Sequence, residues 1–265
     1  MKKPSETFSN VEVLVLAGAR ASGDELAQAH GVPSKAHIRV AGRSMIARVL
    51  DALAASQSAN QAHVIGMQAY DQLQSAEGWP AVRHVPGARG PAASVYDALT
   101  QLERETPVLV TTCDHALLSP AIIDQFLQDT DAANADLTVA LARREDIEAA
   151  YPDVRRTYLN FGDGAYSSCN LFCLKTPAAK SVVKFWQLAE QDRKKPWRIA
   201  WRFGIISALR ILIGRPSQEK VFAIVSKRLG VTIKAVVLPY ADAAVDVDTQ
   251  EDLALVERVI AERSQ

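Results

Sequence analysis

Apolar residues fall along the chain in short runs, separated by stretches where they recur every three or four positions. Val11–Leu16 is predicted as a buried strand. Ser44–Ser56 is predicted as a helix, with Met45, Ile46, Val49, Leu50 and Leu53 on one side. A strand is expected at His63–Met67, a helix at Ala93–Glu105 and a strand at Val108–Thr112, which runs into Cys113 and Asp114. Ser119 is placed to cap a helix whose first position is Pro120 and which runs to about Asp129. Leu137–Leu141 reads as another strand. This β-α-β-α order predicts an α/β protein with a mostly parallel sheet covered by helices. Ligands of such sheets collect at the carboxyl ends of strands. Ala17–Arg20 and Cys113–His115 are therefore expected on one functional edge.

The second half has a different rhythm. Tyr158–Phe161 and Asn170–Leu174 read as strands joined by the turn Gly162-Asp163-Gly164. Three helices follow, Pro177–Gln191, Pro196–Ile213 and Ser217–Leu229, then a strand at Thr232–Leu238 and a closing helix at Thr249–Arg263. With no internal repeat and no low-complexity linker, residues 1–265 are expected to form one domain, with 175–230 as a basic helical insertion.

Composition narrows the classes. The 265 residues are 48% hydrophobic, enough for a sizeable core. Thirty basic residues balance thirty acidic ones, which gives no global attraction for nucleic acid. Cys113, Cys169 and Cys173 match neither a zinc site nor a disulfide framework, and a reducing cytoplasm is expected. Met1–Asn10 is polar, without the apolar core of a signal peptide, and no apolar run is long enough to span a bilayer.

Four stretches can carry chemistry. After the first strand, Leu16, Ala17, Gly18, Ala19 and Arg20 form either a phosphate loop or a plain strand-to-helix turn. Glycine lets backbone amides approach a ligand closely, and Arg20 and Lys35 supply the positive charge a triphosphate needs. The stretch is neither a P-loop nor a dinucleotide fingerprint. Asp114 at the lip of its strand can hold Mg²⁺ or simply shape a loop, and His115 beside it is a ligand or a structural histidine. Asp246 and Asp248 alternate along an extended stretch and are expected to face one side. Thr249 is placed to cap the last helix, with Asp252 at capping-box spacing. Gly87 and Gly90 permit close backbone approach, and Ala92-Ala93-Ser94 leave room for a flat base, or else simply open a helix.

Taken in order, these stretches resemble the MobA-like nucleotidyltransferases. The family's opening L-A-G-G-x-G-x-R is met by Leu16-Ala17-Gly18 and Arg20, with Ala19 in place of a loop glycine. Its P-K is met by Lys35 after Pro33-Ser34, and its V-x-G-x-P-M-I by Val40-Ala41-Gly42-Arg43-Ser44-Met45-Ile46. Its strand ending in aspartate before P-L-L matches Val108–Thr112, Asp114 and Ala116-Leu117-Leu118. Its late I-D-x-D-T-P-E-D-L matches Val245–Leu253. The resemblance covers Val11 to Leu141 and Leu238 to Val259. It implies a GT-A/Rossmann-like three-layer fold, with a helical insertion in the C-terminal half. It further implies Mg²⁺-dependent transfer of NMP from an NTP, CTP or GTP favoured, to a phosphorylated small-molecule or lipid-precursor acceptor. In that assignment Asp114 and Asp248, with Asp246 as substitute, hold the metal. Lys35 and Arg20 neutralise the phosphates, residues near Gly90–Ser94 read the base, and Asn170 meets the acceptor.

Lys175 to Gly230 carries thirteen Lys and Arg against three acidic residues. Trp197 and Trp201, interleaved with Arg198 and Arg202, suit a bilayer surface, an acceptor lid, a dimer contact or a core-packed helix. Peripheral contact through 193–213 with the inner face of the membrane is one expectation. Two other functions compete with nucleotidyl transfer: a GT-A-type glycosyltransferase, or a non-catalytic nucleotide-binding or membrane-peripheral protein. The first of these classes carries Asp-x-Asp at the central strand end, where this chain has Cys113-Asp114-His115.

Overall fold

The computed structural model describes residues 11–19, 23–77, 82–101, 107–191 and 214–264. Arg20, the expected helix Pro196–Ile213 and the expected membrane contact at 193–213 lie outside them. Ten strands are described: β1 (Val11–Leu16), β2 (Arg39–Val40), β3 (Arg43–Ser44), β4 (Ala59–Ile65), β5 (Arg83–Val85), β6 (Val108–Thr112), β7 (Leu137–Arg143), β8 (Leu159–Phe161), β9 (Gly164–Leu174) and β10 (Ile233–Leu238). The helices are α1 (Glu25–Ala29), α2 (Met45–Ala55), α3 (Tyr70–Glu77), α4 (Pro91–Gln101), α5 (Pro120–Ala132), α6 (Arg144–Ala150), α7 (Lys180–Gln191), α8 (Gln218–Leu229) and α9 (Gln250–Arg263).

The main sheet runs β5-β4-β1-β6-β9-β7-β10, with β8 paired to β9. β1 is parallel to β4 and β6, and β10 to β7. Only β9 among the seven strands of that path opposes its neighbours, pairing antiparallel with both β6 and β7. Helices cover both faces because successive β1 side chains point to opposite sides. Val13 and Val15 pack with Ile46 and Leu50 of α2 and with Ile122 and Phe126 of α5. Leu14 packs with Val95 and Leu99 of α4 and with Val183 of α7. α9 buries Leu253, Val256 and Val259 against Val245, Val247 and Met45.

Boundaries differ from the expectations where local chemistry decides them. β4 starts at Ala59, its polar Asn60 and Gln61 having masked the strand period, and it stops where Gly66 turns with φ +73°. α4 starts earlier than expected, at Pro91, and α5 continues to Ala132. Gly164–Leu174 is one strand; its register against β7 slips between Val139 and Leu141, where Asn170 adopts φ +50°. The short α1, α3, β5 and α6 had no clear signal: α6 buries only Ile147, and of β5 only Val85 is buried. No described helix is long and apolar enough to cross a membrane.

Candidate active site on the carboxyl rim

β1, β4 and β5 end close together, each followed by a glycine. Ala17 N–H still donates to the Ile65 carbonyl (2.9 Å), after which Gly18 leaves the sheet. A Cβ on Gly66 would lie 3.1 Å from Gly87 Cα and 3.3 Å from Gly18 Cα, so three backbones touch with no side chain between them. φ +73° at Gly66 independently demands glycine. Beyond Gly87 the chain is held by Ser94, whose hydroxyl accepts from Ala88 N–H at 2.9 Å. Gly90, at φ +109°, lets α4 begin with Ser94 N–H bonded back to its carbonyl. Glu190, on the last turn of α7, accepts from Ala92 N–H at 3.2 Å. Ala19 is exposed, and Leu16 is half-buried.

The next part of the rim is charged. Cys113 N–H donates to Leu16 carbonyl (3.0 Å), carrying the β1–β6 pairing one residue further, and Asp114 follows. Lys35 stands on a 3₁₀ turn, Lys35–His37, and its side chain is 10% exposed. Its Nζ contacts Asp248 Oδ1 and lies 3.5 Å from Asp114 Oδ2 and 3.9 Å from Asp24 Oδ2. Burial works against the ammonium, but Asp114, Asp248 and Asp24 outweigh it and hold the Lys35 pKa above the ordinary lysine value. Asp114 Oδ1 is buried and has no hydrogen-bond partner among the described residues. The Asp114 carbonyl accepts from Val247 N–H at 3.0 Å, which ties the two aspartate-bearing segments together.

Asp246 has different partners from Asp248. Arg156 Nη1 donates to Asp246 Oδ1 at 2.6 Å, and Asn170 Nδ2 to Oδ2 at 3.4 Å. Burial raises the Asp246 pKa, Arg156 opposes that, and Asp114 and Asp248 add to the rise. Thr249 and Asp252 form the reciprocal capping box at the start of α9. His115 is fully buried, with Nε2 3.3 Å from the Asp242 carbonyl. Burial lowers its pKa to about 4, which fits a neutral structural imidazole. The Cys113 thiol is buried and its pKa pushed upward by that burial.

Lys35, Asp114 and Asp248 thus meet; Asp246 and Asn170 form a second group beside them; Gly90 and Ser94 lie on the glycine-lined part of the rim. Three participants had no place in the sequence reading. Asp24 was legible as a helix cap, since its Oδ1 accepts from Ala27 N–H (3.1 Å). Arg156 and Glu190 carried no local signal, because their partners are 90 and 98 residues away. Among the described residues no three His, Cys, Asp or Glu side chains close into a metal cage. Mg²⁺ does not require one, because it commonly uses one or two carboxylates and completes its shell with water and phosphate oxygens. The unpartnered Asp114 oxygen fits that use.

A parallel sheet with one reversed strand, and a lysine–aspartate cluster on its carboxyl rim, define a GT-A-like α/β protein of the nucleotidyltransferase type. The chain belongs to the MobA-like NTP transferase domain family, whose model matches residues 13–194. It is similar to a hypothetical transferase from Thermus thermophilus, with 30% identity over 92% of this chain and 99% of that one and a TM-score of 0.77. The fold is shared with a CMP:2-keto-3-deoxy-manno-octonic acid synthetase complexed with CTP (13% identity, 96% of this chain and 99% of that one, TM-score 0.58). It is shared too with the 4-diphosphocytidyl-2C-methyl-D-erythritol synthase of Anaerococcus prevotii (12% identity, 96% and 98%, TM-score 0.57). No curated protein matches the chain.

Proposed function

We propose that this protein transfers NMP from an NTP, CTP or GTP favoured, to a phosphorylated small-molecule or lipid-precursor acceptor. An acceptor oxygen attacks the α-phosphorus, a new phosphorus–oxygen bond forms, the bond to the β-phosphate oxygen breaks, and pyrophosphate leaves. The observation that carries this reading is the Lys35–Asp114–Asp248 cluster at the strand ends. Among the described residues, Lys35 and Arg156 are the cations paired within this cluster and its neighbour, against Asp24, Asp114, Asp246, Asp248 and Asp252. A divalent cation would join such carboxylates to the phosphate oxygens of a triphosphate. Asp114 and Asp248 would hold Mg²⁺, which when bound supplies charge neutralisation at the phosphate oxygens. Lys35, released from its carboxylates, is within the same cluster to meet charge on the phosphates. The Gly18–Gly66–Gly87 backbones leave a surface without side chains for a flat base, with Gly90 and Ser94 setting the loop beside it.

The glycosyltransferase alternative is weakened because no Asp-x-Asp stands at the end of β6: one, Asp129–Asp131, lies within α5, and the other is Asp246–Asp248. Its first member, Asp246, is held by Arg156 and Asn170. Strands from both halves share the sheet, which supports one domain; α7 and α8, at the ends of 175–230, cover that sheet through Val183, Phe222 and Val225. A cytoplasmic setting fits this substrate class, and peripheral membrane contact through 193–213 belongs to the lipid-precursor version of the acceptor.

The test is pyrophosphate release with each of the four NTPs, Mg²⁺ and pooled phosphorylated acceptors. Release is expected with CTP or GTP and to be lost in Asp114→Ala. Nucleotide binding without release, with every acceptor, would point to a non-catalytic protein, and full turnover by Asp114→Ala would remove the metal assignment.

A further inference from the structure

Arg156 is almost completely buried, with 8% of its side chain exposed, and it lies on the irregular segment before β8. Its guanidinium reaches the chain on both sides of Asp248. On the amino side, Nη1 and Nη2 each donate to the Asp246 backbone carbonyl at 3.2 Å, and Nη1 also pairs with Asp246 Oδ1 at 2.6 Å. On the carboxyl side, Nη2 lies 3.0 Å from Asp252 Oδ1. The other oxygen of Asp252 accepts from Asp248 N–H (3.1 Å) and Thr249 N–H (2.9 Å). The Asp246–Val247 peptide is therefore tied to this planar cation directly, and the Asp248 amide is tied to it through the Asp252 carboxylate. Between them Val247 N–H is bonded to the Asp114 carbonyl at 3.0 Å. Asp248 is left projecting from this frame toward Lys35.

We propose that Arg156 is a positioning residue for the nucleotidyl-transfer site: it locks Asp246 and Asp252 as anchors so that Asp248 alone, of the Asp246–Asp248 pair, is presented to Lys35 and the metal. This rests on the nucleotidyl-transfer reading above and divides the Asp-Val-Asp stretch into an anchor and a working carboxylate. The chemistry of arginine is what the frame needs. A rigid fork with five donors can serve a carbonyl and two carboxylates at once; a lysine ammonium is a point charge and cannot hold that geometry.

The experiment has two arms on the full chain. The first is hydrogen exchange followed by mass spectrometry, on peptides covering residues 244–252, for wild type, Arg156→Lys and Asp246→Asn. In Arg156→Lys, exchange at the Val247 and Asp248 amides is expected to speed up at least tenfold, with peptides from β1, β6 and β7 unchanged. Asp246→Asn, which keeps the shape and one acceptor oxygen, should shift the same peptides by a smaller factor. The second arm is kinetic: Arg156→Lys should lower kcat at least thirtyfold and raise the half-saturating Mg²⁺ concentration at least tenfold, with the KM for NTP within threefold. Asp246→Asn should raise the Mg²⁺ requirement far less than Asp248→Asn does. Unchanged exchange in both variants overturns the proposal, as does faster exchange with kcat and Mg²⁺ dependence unmoved, which is a purely structural arginine. An Asp246→Asn metal requirement equal to that of Asp248→Asn also overturns it. Absence of turnover in the wild type would instead defeat the nucleotidyl-transfer reading, and the exchange arm would still decide whether Arg156 frames the segment.

Discussion

Two neighbouring parts of the carboxyl rim are built in opposite ways, and under the proposed function both would face the nucleotide. Around Lys35, Asp114 and Asp248 the work is done by side chains, an exposed and a half-buried carboxylate gathered on one nearly buried ammonium. Around Gly18, Gly66 and Gly87 it is done by removing side chains until backbones touch. The first part is electrostatic, so it depends on charge and is sensitive to substitutions that conserve volume. The second part is steric, so it is indifferent to charge and fails when a single methyl group is added at Gly66 or Gly87. A substitution in one part should therefore leave a different signature from a substitution in the other.

The largest effect should come from the charged part. Lys35→Met keeps most of the volume but removes the ammonium that Asp114 and Asp248 share. Turnover should fall by about 10²–10³-fold in steady-state kinetics, with the thermal midpoint changing far less; a loss below tenfold would break the contrast. Next comes Gly66→Val in the bare part. Positive φ and backbone contacts of 3.1 and 3.3 Å leave no room for the side chain. A loss of about 3 kcal/mol or more is expected in urea unfolding, so that stability falls before chemistry does. Ser94→Ala is gentler. It removes the acceptor for Ala88 N–H, which should cost about 1 kcal/mol and weaken nucleotide binding a few-fold by calorimetry, with kcat nearly intact.

The smallest effect is a control at the opposite edge of the sheet. Asp136 precedes β7 and accepts from Thr176 Oγ1 (2.5 Å) and Thr232 N–H (2.8 Å). The Thr176 hydrogen bond, followed by that from Thr232, lowers its pKa below the ordinary aspartate value. A depressed carboxylate contributes stability that is fully present above the unfolded-state pKa and is lost as pH falls through the folded one. Asp136→Asn should flatten the acid side of the melting-temperature profile, below about pH 4, and leave activity at neutral pH unchanged. A change in turnover there would show that the two edges are coupled.

Much of the frame was legible in the sequence because its signals are local. The apolar run of β1, the Ser119 cap and the Thr249–Asp252 box each involve residues within a few positions of one another. Asp114 and Asp248 could be singled out because one follows a recognisable strand and the other precedes a recognisable helix cap, Lys35 because it follows Pro33-Ser34, and their order along the chain carries the family resemblance. Arg156 and Glu190 were invisible for the converse reason. Arg156 precedes no strong apolar pattern, Glu190 is one charge among many in a basic stretch, and each finds its partner only when distant segments pack. The same holds for β9: its reversed direction depends on pairing with β6 and β7, which no periodicity within Gly164–Leu174 encodes.

That reversed strand determines from which end of the sheet the later helices approach. Because β9 runs against its neighbours, it begins at the carboxyl rim and delivers the chain to the far side of the sheet at Leu174. α7 then has to travel back, and it brings Glu190 to Gly90 on the rim. Gly162 N–H, beside the β8–β9 turn, donates to the Pro216 carbonyl at 2.9 Å, just ahead of α8. One reversal in the sheet thus turns a helix that would otherwise leave from the carboxyl side into one that arrives there, and the second half of the chain comes back to the edge that carries the lysine and the aspartates.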